Sequence, residues 1–300
     1  MRGLISRFGK NIWGQYKTRR SFYSYIVWIV LKIKKRFRVG FKCNACDSLM
    51  RVDVVIPTVS KDFIMLDHVI RSLKHIKHNV NKVYVVAPRD VLVEKYCLRK
   101  KIVFIDENTV LGFDKKHITY SVGGVDRSGW LFQQLLKLSG DKFVEMQNFI
   151  VLDSDTVYVN DICFKKKCRF VFYGSDEFHK PYYDAYEYMF GYPPVARVSL
   201  VAHMMIFNSD YLKEMKDELE ARWNRPWFDV VISTSSSAEQ SCVSEYETYS
   251  NWVIFHYPEK YIIYPFYNKG QVRICPDDFL CLAASVEYLH SVSFHAYLRN

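Results

Sequence analysis

Apolar residues from position 51 onward alternate between two spacings. Four β-branched or aromatic runs predict buried strands: Val52–Ile56, Lys82–Ala87, Ile102–Ile105 and Phe149–Leu152. Between them, Phe63–Leu73 and Trp130–Leu138 repeat apolar side chains every three or four residues, which predicts helices. Strands joined by helices indicate an α/β fold, with a mostly parallel sheet covered by helices on both faces.

The second half of the chain is less regular. Arg169–Gly174 and Ser199–Phe207 are predicted strands, and Tyr211–Trp223 is a predicted amphipathic helix. Ser244 and Glu247 have the spacing of a capping box, so we expect a helix to begin there and to run towards Phe255. No linker separates these elements, and we predict one folded domain over residues 47–300.

Charge is unevenly distributed along the chain. Residues 1–46 contain twelve Lys/Arg and no acid, whereas the remaining 254 contain 30 basic and 32 acidic residues. The net charge of +10 therefore belongs to a basic arm, predicted at residues 1–46, and not to the domain. A nearly neutral domain argues against a nucleic-acid-binding protein, which would carry basic residues over its folded surface.

The arm contains an apolar run, Ser21–Leu31, about half the ~20 residues that a spanning helix needs. If the arm is helical, one face carries apolar residues beside several lysines and arginines, namely Phe22, Ile26, Ile29, Ile33 and Phe37. Such a helix suits an anionic membrane surface. We therefore expect a cytoplasmic protein, peripheral at the inner face of the plasma membrane. The alternative is a helix that packs on the flank of the domain.

Eight cysteines in 300 residues are too sparse for a disulfide framework. The pair Cys43-x-x-Cys46 lacks a second pair at zinc-ligand spacing and has no histidine cluster near it in sequence. We expect reduced thiols in preference to a structural zinc site.

Asp153 and Asp155 directly follow the fourth predicted strand. Adjacent like charges repel, and burial adds a desolvation penalty, unless a cation is present. Mg²⁺ or Mn²⁺ takes carboxylate oxygens and leaves positions for phosphate, so the pair predicts an ion that stabilises a departing diphosphate. The alternative is a pair of exposed turn aspartates.

Four segments resemble bacterial nucleotide-sugar glycosyltransferases of the GT-A fold, in particular those of lipopolysaccharide or capsule biosynthesis: Val54–Thr58, Arg127–Gln134, Val151–Asp155 and Ser244–Tyr249. The resemblance spans roughly residues 51–300. It implies a GT-A-like sheet and metal-dependent transfer of a sugar from a nucleotide-diphosphate donor to a glycan or glycolipid acceptor. A sugar-phosphate nucleotidyltransferase is the alternative enzyme, although the segment after the first strand lacks a Gly-rich phosphate loop. A non-catalytic membrane adaptor with the same fold is the other alternative.

The resemblance also implies donor-binding residues. Pro57, Thr58 and Asp62 would lie near the nucleoside. Arg127 would reach a phosphate, with Trp130 and Gln134 on the same helix; the alternative places Trp130 in the core. Asp153 and Asp155 would hold Mn²⁺ or Mg²⁺, with a late histidine, His295, as a further ligand.

If transfer inverts configuration, a carboxylate must deprotonate the acceptor hydroxyl. Glu245 and Glu247 are the predicted bases, and Glu245 is favoured because Glu247 is the capping-box acid. Asp176 and Glu177 follow a predicted strand and are a second choice, or contact the donor sugar. His203 interrupts an apolar run, so it either faces the acceptor or is a hydrogen-bonded core histidine.

Overall fold

The computed structural model describes residues 26, 29, 30, 32–34, 36, 37, 46–175, 177–271 and 289–294. We number the strands β1 (Arg51–Pro57), β2 (Asn79–Ala87), β3 (Val103–Asp106), β4 (Ser121–Val122), β5 (Val125–Asp126), β6 (Asn148–Leu152), β7 (Thr156–Tyr158), β8 (Lys165–Lys166), β9 (Arg169–Gly174), β10 (Met204–Asn208), β11 (Tyr261–Pro265), β12 (Asn268–Gln271) and β13 (Ser291–Phe294). The α-helices are α1 (Phe63–Ser72), α2 (Val91–Lys100), α3 (Glu107–Val110), α4 (Ser128–Lys137), α5 (Lys180–Phe190), α6 (Ser209–Trp223), α7 (Trp227–Ile232) and α8 (Glu245–His256). Short 3₁₀ turns lie at Ser60–Asp62, Leu73–His75, Lys115–His117 and Gly140–Lys142.

The central sheet has five strands in the order β10-β6-β1-β2-β3. β6, β1, β2 and β3 run parallel, and β10 is antiparallel to β6. β1 and β6 are apolar and buried along nearly all of their length, as expected for parallel strands covered on both faces. The predicted α/β fold class with a mostly parallel sheet is confirmed.

Two smaller sheets extend the second half. One has the order β11-β9-β8, and the other has the order β12-β13-β7. β7 begins directly after Asp155 and pairs with β13, which brings residues 291–294 to the carboxyl end of β6. A late part of the chain therefore lies beside the two aspartates.

The predicted strand Ser199–Phe207 begins too early. The structure forms β10 only from Met204, and the residue before it, His203, has a left-handed backbone with φ 59°. A residue with this backbone conformation cannot continue a β-strand, whose φ lies near −120°. The apolar pattern did not reveal the break because its side chains are buried on both sides of it.

The arm has helical residues between Ile26 and Arg36. Ile29 packs against the core of the domain, whereas Ile26, Val30 and Ile33 are exposed. The helix therefore contacts the flank of the domain and also presents apolar side chains outward. Among the described helices, none has the length and apolar character that a membrane crossing requires.

Cys46 and Cys163 form a disulfide with a sequence separation of 117 residues. The expectation of reduced thiols is therefore wrong for this pair, because residues distant in sequence meet in the fold. His78 lies beside it, with Nδ1 donating to the Asp47 carbonyl at 2.7 Å and Nε2 accepting from the Phe164 amide at 2.8 Å. The backbone thus satisfies both ring nitrogens without a metal. Cys43 lies outside the described residues.

Candidate active site

The ends of β1 and β6 meet at the carboxyl edge of the central sheet. Ser154, between the two aspartates, donates its hydroxyl to Asp62 Oδ2 at 3.3 Å. Thr58 follows β1 and is buried, and its hydroxyl has no hydrogen-bond partner among the described residues. The structure therefore brings Asp62, a predicted donor residue, beside the turn that holds Asp153 and Asp155, as expected for parallel strands whose carboxyl ends share one edge.

Asp153 is the centre of a buried network of charges. Its Oδ1 accepts from Lys137 Nζ at 2.5 Å and from the Tyr246 hydroxyl at 2.8 Å, and its Oδ2 accepts from His203 Nδ1 at 3.1 Å. Burial favours the neutral acid, but Lys137 and His203 outweigh it and hold the pKa of Asp153 well below its usual range. Asp153 is therefore a carboxylate paired with two cations.

Lys137 links Asp153 to Glu245. It lies at the end of α4, is fully buried, and donates to Glu245 Oε1 at 2.6 Å. Its ammonium also lies 4.8 Å from the centre of the Tyr246 ring, within cation–π range. Burial opposes the charge, but the two carboxylates raise the pKa of Lys137 above its ordinary value.

Sequence reasoning missed Lys137. It follows Leu135 and Leu136, and precedes Leu138, in the apolar helix. A lysine in the middle of an apolar helix could have revealed this part of the site, because a buried ammonium group almost always has a charged partner. The same face of α4 carries Gln133, one turn earlier, whose Nε2 donates to the Pro57 carbonyl at 3.3 Å. Gln133 therefore contacts the end of β1, whereas Gln134 donates within α4 to the Trp130 carbonyl.

His203 bridges two acids from a strained backbone position. Its Nε2 lies 3.0 Å from Glu177 Oε1, opposite its contact with Asp153. Burial disfavours the imidazolium, but Glu177 and Asp153 raise the pKa of His203 well above 6.5. Since carboxylates only accept, both ring nitrogens donate. A left-handed non-glycine residue costs free energy, and such residues cluster at functional sites.

The two predicted bases on α8 have different surroundings. Ser244 caps the helix by accepting from the Glu247 amide at 3.3 Å, which is half of the predicted capping box. Glu247 Oε1 accepts from the Tyr183 and Ser199 hydroxyls and from the Leu200 amide, at 2.7, 2.8 and 3.0 Å. Glu247 thus holds the segment before β10, and Glu245 belongs to the Asp153 network.

Burial shifts the pKa of Glu245 upward. Lys137 counteracts this shift, and the neighbouring Asp153 charge adds to it, so that the pKa of Glu245 stands above its ordinary value. A carboxyl group of raised pKa beside a low-pKa carboxylate is a pattern found where acid–base chemistry occurs.

Arg127 lies away from this network. Its Nε donates to the Gln240 carbonyl at 2.8 Å, and its guanidinium carbon is 5.0 Å from the centre of the Trp130 ring. Trp130 is half-buried and packs against the core. The structure therefore connects Arg127 with the loop before α8.

Asp155 is half-buried, and its carbonyl accepts from the Phe294 amide at 2.8 Å. Phe294 is the residue immediately before His295. His295 and Asp176 themselves lie outside the described residues.

The sequence pattern of one family, described as a family of unknown function, matches residues 49–297. The chain belongs to family DUF6492. A search of curated proteins finds no sequence match to this DUF6492 chain.

Solved glycosyltransferase structures share part of the layout of the DUF6492 chain. Mouse xyloside xylosyltransferase 1 aligns with a TM-score of 0.46 and 12% identity, covering 84% of this chain and 100% of its own. The galactosyltransferase LgtC aligns at 0.43 and 9%, covering 83% and 88%. The bifunctional glycosyltransferase WbbM aligns at 0.43 and 14%, covering 87% of this chain and 48% of its own.

The donor set of the DUF6492 site fits a hard divalent ion. Asp153 is ionised, and Asp155 follows it at the end of the same strand. Asp153 Oδ1 receives two donors but Oδ2 receives only His203, and a carboxylate oxygen has two lone pairs. Carboxylate oxygens are the ligands that Mg²⁺ and Mn²⁺ prefer.

Proposed function

We propose that this chain is a metal-dependent glycosyltransferase that moves a sugar from a nucleotide-diphosphate donor to a lipopolysaccharide or capsule acceptor. The observation that carries the proposal is the ionised Asp153 at the carboxyl end of β6. Asp153 lies between Lys137 and His203. The next residue, Ser154, contacts Asp62. Ligands of open α/β sheets bind at this edge.

The donor nucleoside would lie against Pro57, Thr58 and Asp62. The unpartnered Thr58 hydroxyl is a buried polar group that a base or ribose atom would satisfy, which would remove the penalty of leaving it unbonded. Asp153 and Asp155 would hold Mn²⁺ or Mg²⁺, with His295 as a further ligand. When bound, the ion would neutralise charge on the departing nucleoside diphosphate.

Lys137 and His203 would act as positioning residues. They fix the carboxylate of Asp153 from two sides, and their positive charges keep it ionised. Arg127, Trp130, Gln134 and Asp176 complete the proposed donor contacts. The link from Arg127 to the Gln240 carbonyl supports a role in holding the loop before α8.

Glu245 would take the proton from the acceptor hydroxyl. Its burial and raised pKa move a carboxylate towards the neutral range that general bases need. Glu247 is favoured less, because its oxygens accept from residues 183, 199 and 200 and so stabilise the fold. His203 is proposed to face the acceptor through the same edge.

Residues 1–46 would form the basic arm and residues 47–300 the catalytic domain. We propose that the arm places the enzyme at the inner face of the plasma membrane, where a lipid-linked acceptor would lie. The exposed apolar residues of the arm helix support this arrangement.

Donor hydrolysis tests the proposal. The full chain is incubated with a panel of nucleotide sugars with and without Mn²⁺, and released nucleoside diphosphate is measured. Metal-dependent release of nucleoside diphosphate is expected. In a parallel assay with a nucleoside triphosphate and a sugar 1-phosphate, release of pyrophosphate would instead indicate a nucleotidyltransferase. No turnover in either assay would favour an adaptor.

Matched variants on α8 test the base. Glu245→Gln should retain donor binding, measured as a donor-dependent increase in melting temperature, and lose transfer to acceptor. Glu247→Gln serves as the comparison variant. If Glu247→Gln alone stops transfer while folding normally, Glu245 is not the base.

A further inference from the structure

A groove of about 680 Å³ lies between the arm helix and the domain. Ile26, Val30 and Lys34 line it from the helix, each four residues after the last, so they share one helical face. The groove is within the 300–1,000 Å³ range of ligand sites. It is separate from the Asp153 network, because no residue of that network lines it.

The wall opposite the arm helix is apolar. Val195 and Val198 lie in the segment before β10, Ile254 is on α8, and Ile263 is on β11. Val195 and Val30 are each more than a third exposed, so the apolar surface is open to solvent. Apolar side chains therefore line an open groove and not a closed core.

The charged groups at the groove are all cations. Lys34 and Arg197 are both exposed and line it, and none of the described lining residues is acidic. An apolar groove with cationic side chains is complementary to a hydrocarbon chain that carries an anionic headgroup. A peptide helix would need acidic side chains only where it meets Lys34 and Arg197. An anionic lipid matches both the apolar wall and the two cations.

We infer that this groove binds one hydrocarbon chain of an anionic bilayer phospholipid, with Lys34 and Arg197 beside the phosphate. The inference rests on the proposed membrane association and gives it a defined binding site. It also accounts for Ile26 and Val30 of the arm helix, which line the groove opposite the domain and stay partly exposed. The basic arm would add electrostatic attraction to the same leaflet.

The segment that lines the groove continues into the proposed active site. The Ala196 amide donates to Asn251 on α8 at 2.7 Å, and Ser199 contacts Glu247. An extended chain rises about 3.3 Å per residue. Measured along this segment, the groove wall therefore lies within roughly 10–15 Å of the acids on α8. A protein held here would face the site towards membrane-borne acceptors.

Vesicle sedimentation of the full chain tests the inference. The chain should pellet with phosphatidylcholine vesicles that contain phosphatidylglycerol, and not with phosphatidylcholine alone. Val30→Asp should weaken binding roughly tenfold by removing apolar burial, and Lys34→Glu at least about fivefold by reversing a charge near the headgroups. Val91→Asp, at an exposed valine on α2, is the matched control and should bind normally.

A soluble probe separates the groove from the arm as a whole. Dodecyl phosphate, below its micelle concentration, should bind with a negative heat-capacity change in calorimetry. Inorganic phosphate and a nonionic dodecyl ether should bind at least tenfold more weakly. Ala196→Trp should fill the groove and abolish probe binding, while the protein retains its melting temperature within a few degrees.

If the wild type and Ala196→Trp bind dodecyl phosphate equally well, the groove is not the binding site. If the nonionic ether binds as tightly as dodecyl phosphate, the anionic headgroup is not recognised and the inference fails. If the probe binds only after residues 1–25 are removed, the occupant is this chain's own segment and the inference fails. Donor hydrolysis measured on the same samples reports the proposed transferase activity separately, so either result can fail without the other.

Discussion

Asp53 is buried inside β1, and half-buried Asp153 directly follows the neighbouring strand β6; the partners of the two carboxylates differ. Asp53, inside β1, accepts from three backbone amides, those of Lys82, Glu145 and Met146, and from the Asn81 side chain. Among the described residues, the Asp153 carboxylate, just beyond β6, accepts from side chains alone, and two of these are cations. The Asp53 carboxylate is held mainly by fixed backbone dipoles. The Asp153 carboxylate is held by side chains from α4, from α8 and from the residue before β10.

The difference indicates which carboxylate serves the fold and which serves chemistry. Backbone donors cannot move without unfolding β1 and β2, so Asp53 joins the strand to the loop before β6. Side-chain donors can exchange a bond for a ligand with only a rotamer change. The Asp153 network is also costly to maintain, since buried ion pairs barely offset their desolvation. Such a cost is typical of functional sites.

Removal of Lys137 should have the largest effect. Lys137→Met leaves Asp153 and Glu245 without their shared cation, and breaking a buried pair in this way costs about 3–5 kcal/mol. Urea denaturation should show that loss, together with a loss of turnover. Lys180→Met, which removes an exposed pair with Asp184, is the control and should change stability by less than about 1 kcal/mol. Equal effects would refute the buried network.

Removal of Asp155 should separate activity from stability. Asp155→Ala removes a proposed metal ligand and should lower donor hydrolysis roughly 10²–10³-fold, with the melting temperature nearly unchanged. Asp161→Ala, at an exposed aspartate, should retain activity. A fully active Asp155→Ala protein would contradict the metal assignment.

Glu107 is another buried acid, and its carboxyl group makes no hydrogen bond among the described residues. Burial raises its pKa to about 7, although Lys115 lowers it somewhat. A raised carboxyl pKa contributes stability below the unfolded pKa of about 4.5, and this contribution is lost as the pH rises through about 7.

Glu107→Gln should therefore be more stable than the wild type at pH 8, by roughly 3 kcal/mol, and of similar stability at pH 4.5. Urea denaturation at both pH values measures the difference. Glu94→Gln, at an exposed glutamate, should show no such pH dependence. A constant difference across pH would mean that Glu107 does not titrate in this range.

Asp53→Asn tests the structural half of the comparison. The amide cannot accept from all the donors that meet Asp53, so we expect a loss of about 2 kcal/mol in the free energy of unfolding. Donor hydrolysis per folded molecule should be unchanged. A selective loss of turnover at normal stability would remove the distinction between the two aspartates.

Strands β1, β2 and β6 of the central sheet were predictable because their apolar runs are β-branched, and Pro57 and Pro88 mark the ends of β1 and β2. The ends of β1 and β6 were predictable neighbours because parallel strands share an edge. Lys137 and the contact of Glu177 with His203 were not predicted, because Lys137 contacts Glu245 across 108 residues and His203 contacts Glu177 across 26. Local spacing contains no information on such pairs.

His203 shows the same limit for backbone conformation. Its apolar neighbours predicted a continuous strand, whereas the structure has a left-handed residue whose ring contacts two acids remote in sequence. The Cys46–Cys163 pairing likewise depends on β8, next to which the fold brings the start of the domain. In each case the deciding partner is remote in sequence.

The sequence by itself determined the α/β architecture, the basic arm and the position of Asp153 and Asp155 at a strand end, because periodicity and composition act locally. Only the tertiary structure decided which acids are ionised, paired or strained. Hydrogen bonds and desolvation depend on separations of a few ångströms, and those separations exist only once the chain has folded.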